Sequence, residues 1–202
     1  MQAMEFAILD QLQKIHHPIL DKLMIYASRS SDHGEIWAVI ALFLLVFYLQ
    51  KTKKRKRYVE LYRMGNVEKH AAASERSSML NPGVTILLAM LFSVLIVNLG
   101  LKPLVMRIRP YDINTAAQLI TGHMMDYSFP SGHSSVSFAA ATAILSWNKK
   151  AGVLAILLAS IIAFSRLYLY LHYPTDVLAG IMIGILCGIM AYLLQKRSMK
   201  RF

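Results

Sequence analysis

Apolar residues do not alternate with polar ones along this chain; they collect in long blocks parted by short polar or basic stretches. Four blocks, 84–101, 133–147, 151–171 and 175–194, reach or approach the roughly 20 residues a helix needs to cross a hydrocarbon layer of about 30 Å. A fifth, 36–49, is shorter, and counts as a span because a bundled helix can run past its apolar stretch. The pattern predicts an all-α, polytopic membrane bundle of about five transmembrane helices. Ahead of it, the first 28 residues read as an interfacial amphipathic helix with Phe6, Leu9, Leu12 and Ile15 on one face, broken near His17-Pro18.

Composition agrees with a membrane protein: 56% of the 202 residues are hydrophobic, 16% are charged, and the mean hydropathy is +0.45. No linker or repeat divides residues 1–202, so a single domain is expected. Cys187, the one cysteine, lies inside an apolar run; a disulfide framework is excluded and the residue reads as a small buried hydrophobe. The N-terminal stretch lacks the basic start, continuous apolar core and cleavage site of a signal peptide, and is expected to stay in the mature protein.

Charge then orients the bundle. If the five blocks cross, the segments between them alternate sides, with 15 Lys and Arg on one side and 7 on the other. The positive-inside rule makes the basic side cytoplasmic, with the C-terminus inside and the N-terminus outside a cell (inner) membrane. The run KTKKRKR from Lys51 to Arg57 directly follows a span, where stop-transfer and lipid headgroups account for it; no nucleic-acid partner is expected. Residues 58–80 read as a partly helical cytoplasmic connector. His16 and His17 point different ways along a helix and have no carboxylate pair, so they read as a wet interfacial face rather than metal ligands.

The outer side holds three polar clusters at span ends: KPLVMRIRP from Lys102, PSGH from Pro130, and SRLYLYLHYPTD from Ser165. Ionisable groups there are expensive and are read as functional by default. Lys102, Arg109 and Arg166 are three fixed cations able to balance a phosphate dianion. In PSGH, Ser131 can cap the following helix, whose free N–H groups from Gly132 onward form an anion site within reach of His133. In the third cluster Pro174 disfavours helix at Tyr173, so His172 sits at a turn with Asp176 close enough to accept from one ring nitrogen and leave the other as a nucleophile. Taken singly, PSGH is equally an ordinary N-cap with a solvent-facing histidine, and His172 a loop residue. Tyr168, Tyr170 and Tyr173 read as an interfacial aromatic belt. Asp112, His123 and Asp126 lie in the 103–132 loop without an assigned role.

Together, Lys102-x6-Arg109-Pro110, Pro130-Ser131-Gly132-His133 and Ser165-Arg166-x5-His172-x3-Asp176 resemble the three-part signature of the type 2 phosphatidic acid phosphatase superfamily, in order and at the family's spacing. The resemblance implies that His172 attacks phosphorus to form a phosphohistidine, Asp176 holds its ring, and His133 protonates the leaving oxygen and later activates water. It implies that Lys102, Arg109, Ser131, Gly132 and Arg166 clamp the phosphoryl oxygens, with no cofactor. A site at the outer boundary suggests a membrane lipid phosphate or diphosphate as substrate. The short form is similar to bacterial undecaprenyl-diphosphate phosphatases, which yield undecaprenyl phosphate; phosphatidylglycerophosphate or phosphatidate hydrolysis, or phosphotransfer to another lipid, are the alternatives.

The outer loops near the spans offer only Asp112, Asp126 and Asp176 as carboxylates, without helical pairing, too few for a metal centre of phosphate chemistry. Chelator treatment of the purified protein is therefore expected to leave phosphate release unchanged; loss of activity restored by a divalent cation would refute a metal-free site.

Overall fold

The computed structural model of the chain describes residues 2–32, 34–63 and 81–200, so the connector expected over 58–80 lies outside the described residues from 64 onward. Every element found among the described residues is helical: α1 (Gln2–Gln13), α2 (Pro18–Arg29), α3 (Glu35–Arg63), α4 (Pro82–Val94), α5 (Lys102–Val105), α6 (Pro110–Ile113), α7 (Gly132–Trp147), α8 (Lys149–Tyr168) and α9 (Pro174–Lys200). Four segments, Glu35–Lys53, Pro82–Ile113, Lys149–Tyr168 and Pro174–Ser198, are long and apolar enough to cross a membrane. The remaining expected span, 133–147 in α7, lies in a helix of 16 residues, about 24 Å at 1.5 Å per residue, and falls short of that length.

Shortness suits the position of α7 at the centre. Ten of its residues are buried, among them Ser134, Ser135, Ser137 and the run Phe138–Ile144. Small side chains let neighbouring backbones come close, which is how helices associate without a hydrophobic drive between them. Gly180, Gly184 and Gly188 recur every fourth residue along α9 and face α7: a Cβ at these positions would lie 2.5 Å from the Ser131 carbonyl oxygen, 2.3 Å from that of Ser135 and 2.6 Å from Cβ of Thr142. The buried serines are paired across helices, Ser93 Oγ with Ser135 Oγ at 2.6 Å, and Trp37 Nε1 donating to Ser137 Oγ at 2.9 Å.

Residues 95–101, in the apolar stretch that continues α4, form a wider π-type helix, and the Lys102 N–H reaches back five residues to the Val97 carbonyl. Pro103 supplies the reason: it has no N–H to give the carbonyl four residues earlier, and its ring crowds that turn. Lys102 emerges there as a buried residue. Met106, in the left-handed region at φ 48, then ends α5.

α1 and α2, of 12 residues each, are two helices where one broken helix was expected. His17 caps α2, its Nδ1 accepting from the Ile19 N–H at 3.4 Å. Three expectations need correction. Tyr168, Tyr170 and Tyr173 are fully buried, not a lipid-facing belt. They form the floor on which α1 and α2 rest: Tyr168 donates to Asp21 at 2.5 Å, Tyr170 donates to Asp10 at 2.7 Å, and Phe6 meets Tyr173 edge-on at 5.5 Å. His16 is not on a wet face but stacks on Tyr168 at 4.4 Å. Ile15, placed with Phe6, Leu9 and Leu12, is exposed because α1 has ended at Gln13.

Gly184→Ala should destabilise the protein by about 1–3 kcal/mol, the usual cost of overpacking, because its Cβ has backbone on the far side. Thermal unfolding in detergent, with Gly122→Ala as a control at a site open to 4 Å, checks this; equal midpoints for the two variants would contradict close α7–α9 packing.

Candidate active site

One end of the bundle gathers the three polar clusters. The turn between α8 and α9 carries His172, which is 1% exposed. Its Nδ1 lies 2.8 Å from the Ser128 carbonyl oxygen, and its Nε2 lies 3.2 Å from Nη1 of Arg109. A carbonyl can only accept and a guanidinium can only donate, so both contacts demand the tautomer with the proton on Nδ1 and a lone pair on Nε2. Burial, aided by the fields of Arg109, Arg166 and Lys102, pushes the His172 pKa well below the ordinary histidine value.

Asp176 reaches His172 less directly than its spacing suggested. Its Oδ2 is 3.6 Å from Nδ1, beyond a hydrogen bond, and accepts instead from Ser128 Oγ at 2.5 Å and the Tyr173 N–H at 3.0 Å. The second contact is half of a capping box: Tyr173 is the N-cap of α9, Pro174 its first residue, and Asp176 the residue that reaches back. Oδ1 accepts from Arg107 Nη1 at 2.6 Å. The other arm of Arg107 donates to Glu5 Oε2 at 2.6 Å, and Glu5 Oε1 accepts from Thr175 Oγ1 at 2.5 Å. A buried carboxylate on α1 is thus tied through Arg107 to the aspartate behind the histidine.

The cations surround this turn. Arg109 is 2% exposed; it donates to the Leu171 carbonyl at 2.8 Å and to Asp126 Oδ1 at 2.5 Å. Lys102 pairs with the other oxygen of Asp126. Asp126 is exposed on one side, and the burial of its other side works against its charge, yet Lys102 and Arg109 hold its carboxyl down at about 2. Arg166, fully buried on α8, donates to Ser28 of α2 and touches Met124 Sδ at 3.1 Å, while its Nε has no partner among the described residues.

α7 closes the ring. Ser131 caps it, its Oγ accepting from the Ser134 N–H at 3.4 Å and the Ser134 hydroxyl at 2.9 Å. Its own N–H is spent on the Asp176 carbonyl at 3.0 Å. A Cβ on Gly132 would stand 3.2 Å from Asn98 Oδ1 and 4.0 Å from Lys102 Nζ, so a side chain there would crowd the space beside the lysine. His133, in the first turn, borders two cavities of about 280 and about 320 Å³; the smaller also touches Lys102, Asp126, Gly132 and the apolar Val94 and Val136. Asp112 and His123 lie 3.6 Å apart on the exposed surface of the loop.

All eight residues expected to act on phosphate therefore lie around one end of the bundle. Ser128, Arg107, Glu5 and Asp126 join them without having been assigned. Glu5 left a trace in the sequence, a carboxylate one turn before Leu9 and beside Phe6 on the apolar face of α1. Ser128 left none, since its carbonyl and hydroxyl act from a loop 44 positions away.

A histidine lone pair among three buried cations, at one end of an apolar helical bundle, is the arrangement of a membrane-embedded phosphatase. The model of the PAP2 superfamily matches residues 82–200, and the chain belongs to that superfamily. It is 25% identical over 177 residues to undecaprenyl-diphosphatase BcrC of Bacillus subtilis (strain 168), covering 88% of this chain and 76% of that protein. Among solved structures it resembles a transmembrane PAP2-type phosphatidylglycerolphosphate phosphatase from Bacillus subtilis, with a TM-score of 0.66 at 19% identity over 97% of this chain and 86% of that one. It also resembles LpxE of Aquifex aeolicus, with a TM-score of 0.60 at 22% identity over 93% of each chain. The chain is accordingly a membrane phosphatase of the hydrolase class.

With its pKa lowered, His172 stays neutral while the unfolded chain gains a proton below about pH 6.5, so this residue makes stability fall as pH drops through that value. Its C2 proton resonance should not shift between about pH 5 and 8; a sigmoidal shift in that window would rule out the buried neutral state.

Proposed function

We propose that the chain hydrolyses a lipid diphosphate, undecaprenyl diphosphate to undecaprenyl phosphate, through a phosphohistidine on His172. The observation carrying this proposal is the His172 geometry: Nδ1–H held by the Ser128 carbonyl and a lone pair on Nε2 beside Arg109. The terminal phosphoryl group takes the place of the Asp126 carboxylate on Lys102 and Arg109. Arg166, with its unpartnered Nε, the Gly132 N–H and the Ser131 hydroxyl hold the remaining oxygens.

Nε2 of His172 attacks phosphorus, the bond to the leaving oxygen breaks, and that oxygen takes a proton from His133. Asp176, behind Ser128 and 3.6 Å from Nδ1, stabilises the positive charge that grows on the ring. In the second half His133 removes a proton from water, the hydroxide oxygen attacks phosphorus, and the N–P bond returns its electron pair to Nε2. Division into two displacements suits a reaction that is very slow uncatalysed. These steps assign the chemistry to side chains alone, without a metal.

The diphosphate choice is supported by the resemblance to the diphosphatase BcrC over most of the chain; the apolar Val94 and Val136, which line one cavity with Lys102, suit the lipid chain of any such substrate. Lys51, Lys53, Lys149, Lys150, Lys196 and Arg197 fall at the end opposite the site. The positive-inside rule makes that end cytoplasmic, so the site faces the extracytoplasmic side, with α7 as the fifth crossing and the C-terminus inside.

Phosphate release from undecaprenyl diphosphate, phosphatidylglycerophosphate and phosphatidate by the purified protein tests the substrate, the diphosphate being cleaved fastest. His172→Ala should fall to background and His133→Ala by about 10²–10⁴-fold, with both variants still inserted. A preference for phosphatidylglycerophosphate would move the assignment to that lipid, and full activity of either variant would refute the mechanism.

A further inference from the structure

His133 also has a carboxylate. Its Nε2 lies 3.0 Å from Oδ1 of Asp32, which sits in the turn between α2 and α3, 101 positions earlier. That turn precedes the stretch matched by the family model and lies outside all three signature clusters. It is nonetheless firmly placed. The Ser30 hydroxyl donates to the Ala27 carbonyl at 2.8 Å, and Gly34, at φ +77, reverses the chain into α3 while its N–H bonds the Ser31 carbonyl at 3.2 Å. Ser31 Oγ and Trp37 Nε1 both reach Ser137 Oγ, at 3.4 and 2.9 Å. Ser137 is one helical turn beyond His133 on the same face of α7. The bonds that fasten α3 to α7 therefore also set Asp32 opposite His133, and the two residues together border both cavities of the site.

We infer that Asp32 is the positioning residue of the general acid. Its carboxylate accepts the Nε2–H of His133, which fixes the ring and its tautomer and leaves Nδ1 as the nitrogen that exchanges a proton with the leaving oxygen. When the P–O bond breaks, its electron pair stays on the leaving oxygen, which takes the Nδ1 proton. His133 is left neutral with Nε2–H still on Asp32, and the attacking water later returns a proton to Nδ1. The Asp32 carboxylate, 3.0 Å from Nε2, faces the ring throughout this exchange. This inference rests on His133 being the acid, as proposed above.

The role carries a signature that a merely structural carboxylate lacks. An alcohol leaves poorly without a proton, whereas a nitrophenol leaves readily without one, so loss of Asp32 weighs on the first and spares the second. The experiment compares wild type, Asp32→Asn, Asp32→Glu and His133→Ala in one detergent on dodecyl phosphate and 4-nitrophenyl phosphate, with thermal unfolding of each. Asp32→Asn should lower kcat on dodecyl phosphate by about 10- to 100-fold and on the aryl ester by about 3-fold or less, with little change in KM. Asp32→Glu should recover part of the alkyl rate, and His133→Ala should show the same selectivity more strongly.

Equal loss on both esters, or no loss, in Asp32→Asn while His133→Ala keeps its selectivity overturns the role of Asp32 and leaves the acid assignment standing. Equal loss in His133→Ala overturns the acid assignment, and the role of Asp32 with it. Should Asp32→Asn fail to fold, Asp32→Glu, which shifts the carboxylate by one methylene, takes its place on the same two esters: selective loss on the alkyl ester upholds the role, and equal loss or none overturns it.

Discussion

Lys102, Arg109 and Arg166 are buried together at one end of an apolar bundle, and much of the architecture around them answers to that cost. Withdrawing each charge from water costs several kcal/mol even after relaxation, and like charges in one pocket repel. Asp126 neutralises part of the sum by bridging Lys102 and Arg109. Backbone carbonyls take further donors, those of Leu171 and Asp126 serving Arg109. What remains is an Arg166 Nε without a partner among the described residues, a buried donor that an incoming anion can satisfy. Burial first, and the fields of these cations second, keep His172 unprotonated. The cations thus add to what burial already does to the histidine.

The N-terminal helices acquire a purpose from this. α1 and α2 are too short to span a membrane, and they cover the turn that holds His172. Glu5 reaches Asp176 through Arg107, Ser28 accepts from Arg166, and Asp32 meets His133. Each of the three contacts a different member of the site. Without these helices, Tyr168, Tyr170 and Tyr173 would lose their cover and Arg107 one of its two carboxylates. Residues 2–32 are a wall of the site rather than an appendage to the bundle.

Much of this was legible in the chain because its causes are local. Apolar block length located α3, α4, α8 and α9, and Pro174 correctly stopped α8 short of His172. Ser131 was recognisable as a cap because an N-cap depends only on the residues that follow it. The remainder depended on contacts between distant segments. Nothing local to Ser128 says that its carbonyl will hold a histidine ring, and Asp176 looked like the direct partner of His172 because the intervening loop could not be placed. The tyrosines misled for a related reason: aromatic residues near a span end suit a lipid interface, and only the docking of α1 and α2 tells that these face inward. The glycine stripe on α9 went unread in the sequence, because its meaning requires knowing that α7 lies against it.

The brevity of α7 has a consequence for the surrounding lipid. Its 16 residues cover about 24 Å, against a hydrocarbon layer of about 30 Å, and its first turn is the floor of the site. If its far end is level with the headgroups, the turn proposed to bind phosphate lies several ångströms beneath the opposite surface. The bilayer must then thin around the enzyme or admit water to that depth. A phosphate that descends there draws its own lipid down with it, so the match between membrane thickness and α7 becomes one of the quantities that set access to His172.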